Sequence, residues 1–141
     1  MKTRLALVAA GLLAAAPALA GDPEAGAREW AKCRACHAIV AADGTVIQRG
    51  AATGPNLYNV IGRAAGSVEG FRYSAGMTEA GEKGLVWDEA SIVAYTADPT
   101  AFLREYTGNN RARGNMAFKL ARGVDDIVAY LDSVVMEADR R

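Results

Sequence analysis

One histidine and two cysteines are all that 141 residues offer as the usual ligands of a structural zinc site. A closed structural zinc site needs four ligands, mostly Cys and His, so three cannot complete one without a carboxylate. Two cysteines also make no disulfide framework. Charge of one sign is missing as well. Sixteen basic residues face sixteen acidic ones, and a nucleic-acid binder usually shows a clear basic excess. No internal repeat occurs, and no stretch alternates convincingly as a strand. Long apolar runs are absent, apart from one at the start.

That run is Leu5–Ala20, sixteen residues behind Lys2 and Arg4, interrupted by Pro17 and closing on Ala18-Leu19-Ala20. A spanning helix wants roughly 20 apolar residues. A basic start, a short apolar stretch and a small-x-small end read instead as a secretory signal peptide over residues 1–20, cut before Gly21. The remaining domain is 21–141, 121 residues. Without Lys2 and Arg4, 14 basic residues face 16 acidic ones, a formal charge of −2. Export leads to an oxidising compartment, here the periplasm, where a free thiol pair tends to form a disulfide unless something else uses it.

The domain reads as all-α. A helix is expected over 21–37, capped by Asp22 with Pro23 in its first turn. Residues 38–70 are rich in glycine and read as loop, with a short helical turn near Asn56–Ile61. A helix follows over 87–98. Pro99 ends it and starts a short one through Arg104, and 104–115 reads as loop. The last helix is 123–138, with Val124, Ile127, Val128, Leu131, Val134 and Val135 on one face. Few helices and long loops leave a thin apolar core, and a small domain of this kind needs a staple.

The two cysteines and the histidine stand together in "AKCRACHAIV", residues 31–40. A dithiol redox pair normally sits beside a βαβ pattern, which is missing here. A structural Cys33–Cys36 disulfide would close too small a loop to stabilise much. Cys-x-x-Cys-His is the attachment signal of c-type haem. Positions i, i+3 and i+4 share a helical face. Cys33 and Cys36 therefore reach the two vinyl groups on one porphyrin edge as thioethers, and His37 turns beneath the iron as axial ligand. The haem then supplies the missing core. The second nitrogen of His37 needs an acceptor. The carbonyl of Pro55 in "TGPNL" is a candidate, and a plain turn is the alternative.

A second axial ligand must come from elsewhere. Met77 lies in "YSAGMTEAG" without supportive context. Met136 falls in the last helix as core or surface filler. Met116, in "RGNMAFKL", follows the long polar loop and is the expected sixth ligand. His/Met ligation raises the reduction potential and closes the iron to substrates. That is the chemistry of an electron carrier rather than an enzyme. A haem enzyme or gas sensor with an open or labile sixth site is the alternative.

Taken with "TGPNLYNVIGR", "GFRYS", "VWDEASIVAYTADP", "NMAFKL" and "DDIVAYL" in this order, the chain resembles the class I cytochromes c, in particular the bacterial periplasmic cytochrome c2 and c-550 type. The resemblance implies a small fold wrapped around one covalent haem c, with Cys33 and Cys36 as attachments and His37 and Met116 as iron ligands. It puts the Pro55 carbonyl against the His37 ring. It implies Arg63, Tyr73 and Trp87 near the haem propionates and Tyr95 on the Met116 side. It also has Gly26 and Trp30 crossing Ile127 and Tyr130. Such a protein is a monomeric one-electron shuttle between redox complexes: a bc1-type complex, a photosynthetic reaction centre, a terminal oxidase or a periplasmic dehydrogenase. Two departures stand out. Gly114 occupies the place of a common Thr two residues before the Met, and 38–53 and 104–113 are longer than in mitochondrial members. Arg104, Arg111, Arg113, Lys119 and Arg122 cluster in sequence around Met116, with Lys32 and Arg34 beside the attachment motif. They are read as a basic docking face, the alternative being ordinary solvated charge.

Overall fold

Asp22 opens the ordered chain as a cap: its carboxylate accepts from the Glu24 and Ala25 amides at 2.8 and 3.3 Å, and Pro23 occupies the first turn. The structure, a computed structural model, describes residues 21–140. The expected signal peptide lies outside the described residues.

Five α-helices occur among the described residues: α1 (Pro23–Glu29), α2 (Ala75–Glu82), α3 (Glu89–Ala97), α4 (Pro99–Thr107) and α5 (Val124–Ala138). The first helix is shorter than expected. It gives way to a 3-10 turn at Trp30–Lys32, and successive turns carry the chain to His37. Within them the amides of Cys36 and His37 both donate to the Cys33 carbonyl at 3.0 Å.

The loop expected over 38–53 contains a small antiparallel hairpin, β1 (Ile39–Val40) and β2 (Val46–Gln48), bulged between Ile39 and Val40. Asp43-Gly44 lies in its turn, with Gly44 at φ +86°. Asp-Gly between β-branched residues is a hairpin signal, but two- and three-residue strands are too short to show alternation. The helical turn expected near Asn56–Ile61 is also absent. Two tight turns replace it, with Val60 bonding back to Leu57 at 3.3 Å and Arg63 to Val60 at 3.1 Å. Asn59, at φ +55°, takes a conformation that ends a right-handed helix.

Asp88 and Ser91 form a reciprocal capping box on α3. Asp98 ends α3 and caps α4, where Pro99 takes the first helical position. The fourth helix runs three residues past Arg104 and stops at Gly108, in the left-handed region at φ +68°.

The principal packing joins the two ends of the described chain. α1 lies across α5, with Gly26 buried at the contact. A Cβ on Gly26 would overlap the Asp126 carbonyl and stand 2.7 Å from Tyr130 Cβ. The rings of Trp30 and Tyr130 meet at 6.3 Å, and the Asp22 amide donates to Asp126 at 2.8 Å. Val124, Ile127, Val128 and Leu131 of the expected face are buried, and Val134 and Val135 are half-buried. No helix among the described residues is long and apolar enough to cross a membrane.

Candidate functional site

The turn from Cys33 to His37 is strapped down by the chain that follows the hairpin. Ala51 donates to the Arg34 carbonyl at 3.1 Å, Gly54 to Cys36 at 2.7 Å and Leu57 to Ala38 at 3.1 Å. In the same strap the His37 Nδ1–H donates to the Pro55 carbonyl across 2.7 Å. That contact takes one ring nitrogen and leaves Nε2 as the free one. Burial lowers the His37 pKa and the Arg63 charge adds to this, against the Pro55 bond that raises it. The ring is thus a neutral imidazole with a lone pair to give. Gly54 permits the packing, since a Cβ there would overlap the ring. The sequence reading passed over Gly54, although its place directly before Pro55 was a usable signal.

Cys33 is half-buried and Cys36 exposed, and the two are not joined as a disulfide. Burial pushes the Cys33 thiol up to about 11, against the pull of Lys32. A thiol redox centre needs the opposite shift. Among the described residues, no three His, Cys, Asp or Glu side chains converge as a metal site.

Arg63 donates to the Tyr58 and Asn56 carbonyls, each at 3.0 Å. Its guanidinium is half-buried, forms no ion pair among the described residues, and has its pKa lowered by burial. A buried cation without a carboxylate suits the anionic edge of a bound group. Trp87 is tied to the same place by backbone, bonding the Arg63 carbonyl at 2.9 Å and accepting from Gly62 at 2.7 Å. Its ring meets Tyr95 edge-on at 5.1 Å. Tyr73 acts electrostatically on both Arg63 and Tyr95, and its hydroxyl accepts from the Val68 amide at 3.3 Å. Burial raises Tyr95 to about 12, so it stays a neutral phenol. The structure therefore brings Arg63, Tyr73, Trp87 and Tyr95 into one neighbourhood. Phe102, which no motif marked, joins it by packing on both Trp87 and Tyr95.

Met116 is half-buried against the main core. Gly114 faces the Tyr95 hydroxyl, which a Cβ would approach to 3.2 Å. Met77 is buried inside α2, and Met136 is exposed on α5. The basic cluster is not uniform. Lys119 pairs with Asp98 at 2.6 Å and Lys32 with Glu29. Arg104 is half-buried, its Nε without a hydrogen-bond partner. Arg34, Arg111, Arg113 and Arg122 are exposed and form no ion pair among the described residues. A groove of about 680 Å³ between the hairpin and the end of α5, lined by Tyr58 and Asp139 among others, contains none of the expected site residues.

These residues fit a haem. Two cysteines and a fixed imidazole share one turn, and a carboxylate-free guanidinium and an aromatic wall stand nearby. No family model matches the chain. It is 53% identical over 137 residues to the cytochrome c2 of Cereibacter sphaeroides, covering 93% of this chain and 94% of that protein. It is 46% identical over 135 residues to the cytochrome c-550 of Paracoccus versutus, covering 93% of this chain and 88% of that one. Among solved structures it superimposes on the cytochrome c2 of Rhodobacter capsulatus with a TM-score of 0.79 at 49% identity, covering 82% of this chain and 99% of that one.

Proposed function

The chain belongs to the cytochrome c2 and c-550 family of class I cytochromes c, and from that premise we propose that it is a periplasmic shuttle with His/Met ligation. It is a c-type cytochrome with one covalently bound haem c, an electron carrier. The haem supplies a one-electron iron(III)/iron(II) couple. Cys33 and Cys36 would hold it as thioethers, His37 and Met116 would ligate its iron, and residues 1–20 would direct export and be removed.

One observation carries this reading: His37 is fixed through Nδ1 to Pro55 at 2.7 Å, which presents Nε2 as a ligand one turn from two cysteines. A ring held in this way needs no rearrangement when the oxidation state changes. Arg63 provides positive charge for the propionates, while Trp87, Tyr95 and Phe102 exclude water. Donor and acceptor are redox complexes that meet the protein at its exposed basic residues.

The test is the visible spectrum of the exported, matured protein: ferric, ferrous, then ferrous under carbon monoxide. Sharp c-type bands, a weak red methionine–iron band in the ferric form and indifference to carbon monoxide are expected. A clear shift under carbon monoxide would overturn the Met116 ligation and favour an open-site haem enzyme or sensor. Intact mass tests the export reading, which a species beginning at Met1 would refute.

A further inference from the structure

We propose that α2 is a splint for the segment bearing Met116, with Gly76 and Glu79 as positioning residues for the sixth ligand. The proposal rests on Met116 being that ligand. Positions 76, 79 and 83 are spaced three and four apart, which is the spacing of one helical face, and position 72 lies in the non-helical chain before the Ser74 cap. Residues 76 and 79 lie on α2, and 72 and 83 lie just beyond its ends.

Each touches the chain from Thr107, the last residue of α4, to Asn115, in reversed order. The Lys83 ammonium donates to the Thr107 carbonyl and pairs with Glu79 Oε1 at 3.4 Å. Glu79 Oε2 accepts from Asn109 Nδ2 at 2.8 Å. Gly76 lies against the Arg113 backbone, where a Cβ would stand 2.7 Å from both its nitrogen and its oxygen. The Arg72 carbonyl accepts from Asn115 Nδ2 at 3.3 Å. Residues 107–115 thus run antiparallel to α2, fixed at four points, the last one directly before Met116. Within this stretch Ala112 is 3% exposed.

A polar segment rich in Gly and Asn has few apolar contacts of its own, and such segments open at low free-energy cost. The contacts with α2 supply what it lacks. An external ligand can replace Met116 only while the segment is open. Weakening the splint therefore speeds ligand exchange without touching haem or iron ligands.

The experiment mixes ferric, haem-loaded protein with imidazole at fixed pH and follows loss of the methionine–iron band. Glu79→Ala removes the bonds to Asn109 and Lys83 and is expected to speed exchange about fivefold, the effect of one hydrogen bond. Gly76→Ala forces the backbones apart and is expected to have a larger effect. Glu82→Ala removes the same charge from the same helix, where Glu82 is exposed and makes no bond among the described residues; its rate is expected to match wild type. Hydrogen exchange at the Ala112 amide, which donates to the Asn109 carbonyl at 2.9 Å, is expected to rise with Glu79→Ala in the same proportion. If Gly76→Ala takes up no haem, Glu79→Ala against Glu82→Ala still decides. A wild-type methionine–iron band with Glu79→Ala indistinguishable from Glu82→Ala sinks the splint alone. A wild-type ferric spectrum without that band sinks the Met116 reading itself.

Discussion

Side chains around His37 have little freedom to vary. Pro55 takes one ring nitrogen, and Gly54 leaves no room for a methyl group. Overpacking of this kind costs about 1–3 kcal/mol. Gly54→Ala is therefore expected to lower thermal stability by about that amount and to change the reduction potential, because it tilts His37, the proposed iron ligand. Thermal melts and redox titration of the purified protein check both. Met116→Ala is expected to remove the red ferric band, admit carbon monoxide to the ferrous form and lower the potential, since it removes the proposed sixth ligand, which favours the reduced state.

This site was the most legible part of the chain. Cys33, Cys36 and His37 announce themselves because covalent haem attachment demands those residue types at that spacing. Arg63 and Trp87 were reached only by resemblance: a main-chain bond between residues 24 positions apart leaves no mark on either one's neighbours. Gly54 and Phe102 escaped because a glycine and a lone aromatic have many ordinary uses.

Elements were legible where their termini carry chemistry. Asp22-Pro23 and Pro99 each mark a helix start, and the structure uses both; the helix expected from Trp87 starts two residues later, capped by Asp88. The second helix has weaker marks. Its residues, AGMTEAGE, include two glycines, and Ser74 is its only capping side chain. Its partners lie some thirty residues away, so its place follows from tertiary contacts rather than local propensity.

Hydrogen bonds to Ser91 hold the Asp88 carboxyl below its ordinary value of 3.8. A depressed carboxyl stabilises the fold above its unfolded pKa and loses that contribution as pH falls through the folded one. Asp88→Ala is expected to cost about 1 kcal/mol at neutral pH. The difference from wild type should shrink once pH falls below 3.8, and denaturant titrations at both pH values measure it. At the α1–α5 crossing, Gly26→Val is expected to cost about 3 kcal/mol. That is a fall in Tm of roughly 10 °C or more, with the ferrous spectrum unchanged in the protein that still folds.

Over the whole molecule, charge is balanced in number but not in placement. Acidic residues occupy the start of α1 and both ends of α5. Arg111, Arg113 and Arg122 stand exposed in the segment around Met116. On the docking reading proposed above, such an arrangement would orient the protein toward an acidic partner before contact. The double variant Arg111→Glu, Arg113→Glu is expected to slow association with an acidic redox partner about tenfold at low ionic strength. The gap should close as salt rises, since screening removes steering. Stopped-flow electron transfer across a salt series would show it, and equal slopes for the variant and wild type would exclude these two arginines from docking.

The contact of α1 with α5 also fixes when the protein can fold. Seven residues of helix are too few to persist alone in water. The surface that Gly26 and Trp30 cover lies on residues 126–130, a hundred positions further along the chain. Until that stretch has folded, the first helix has nothing to lie against. The first and fifth helices of this design therefore form together, as one step that closes the chain on itself.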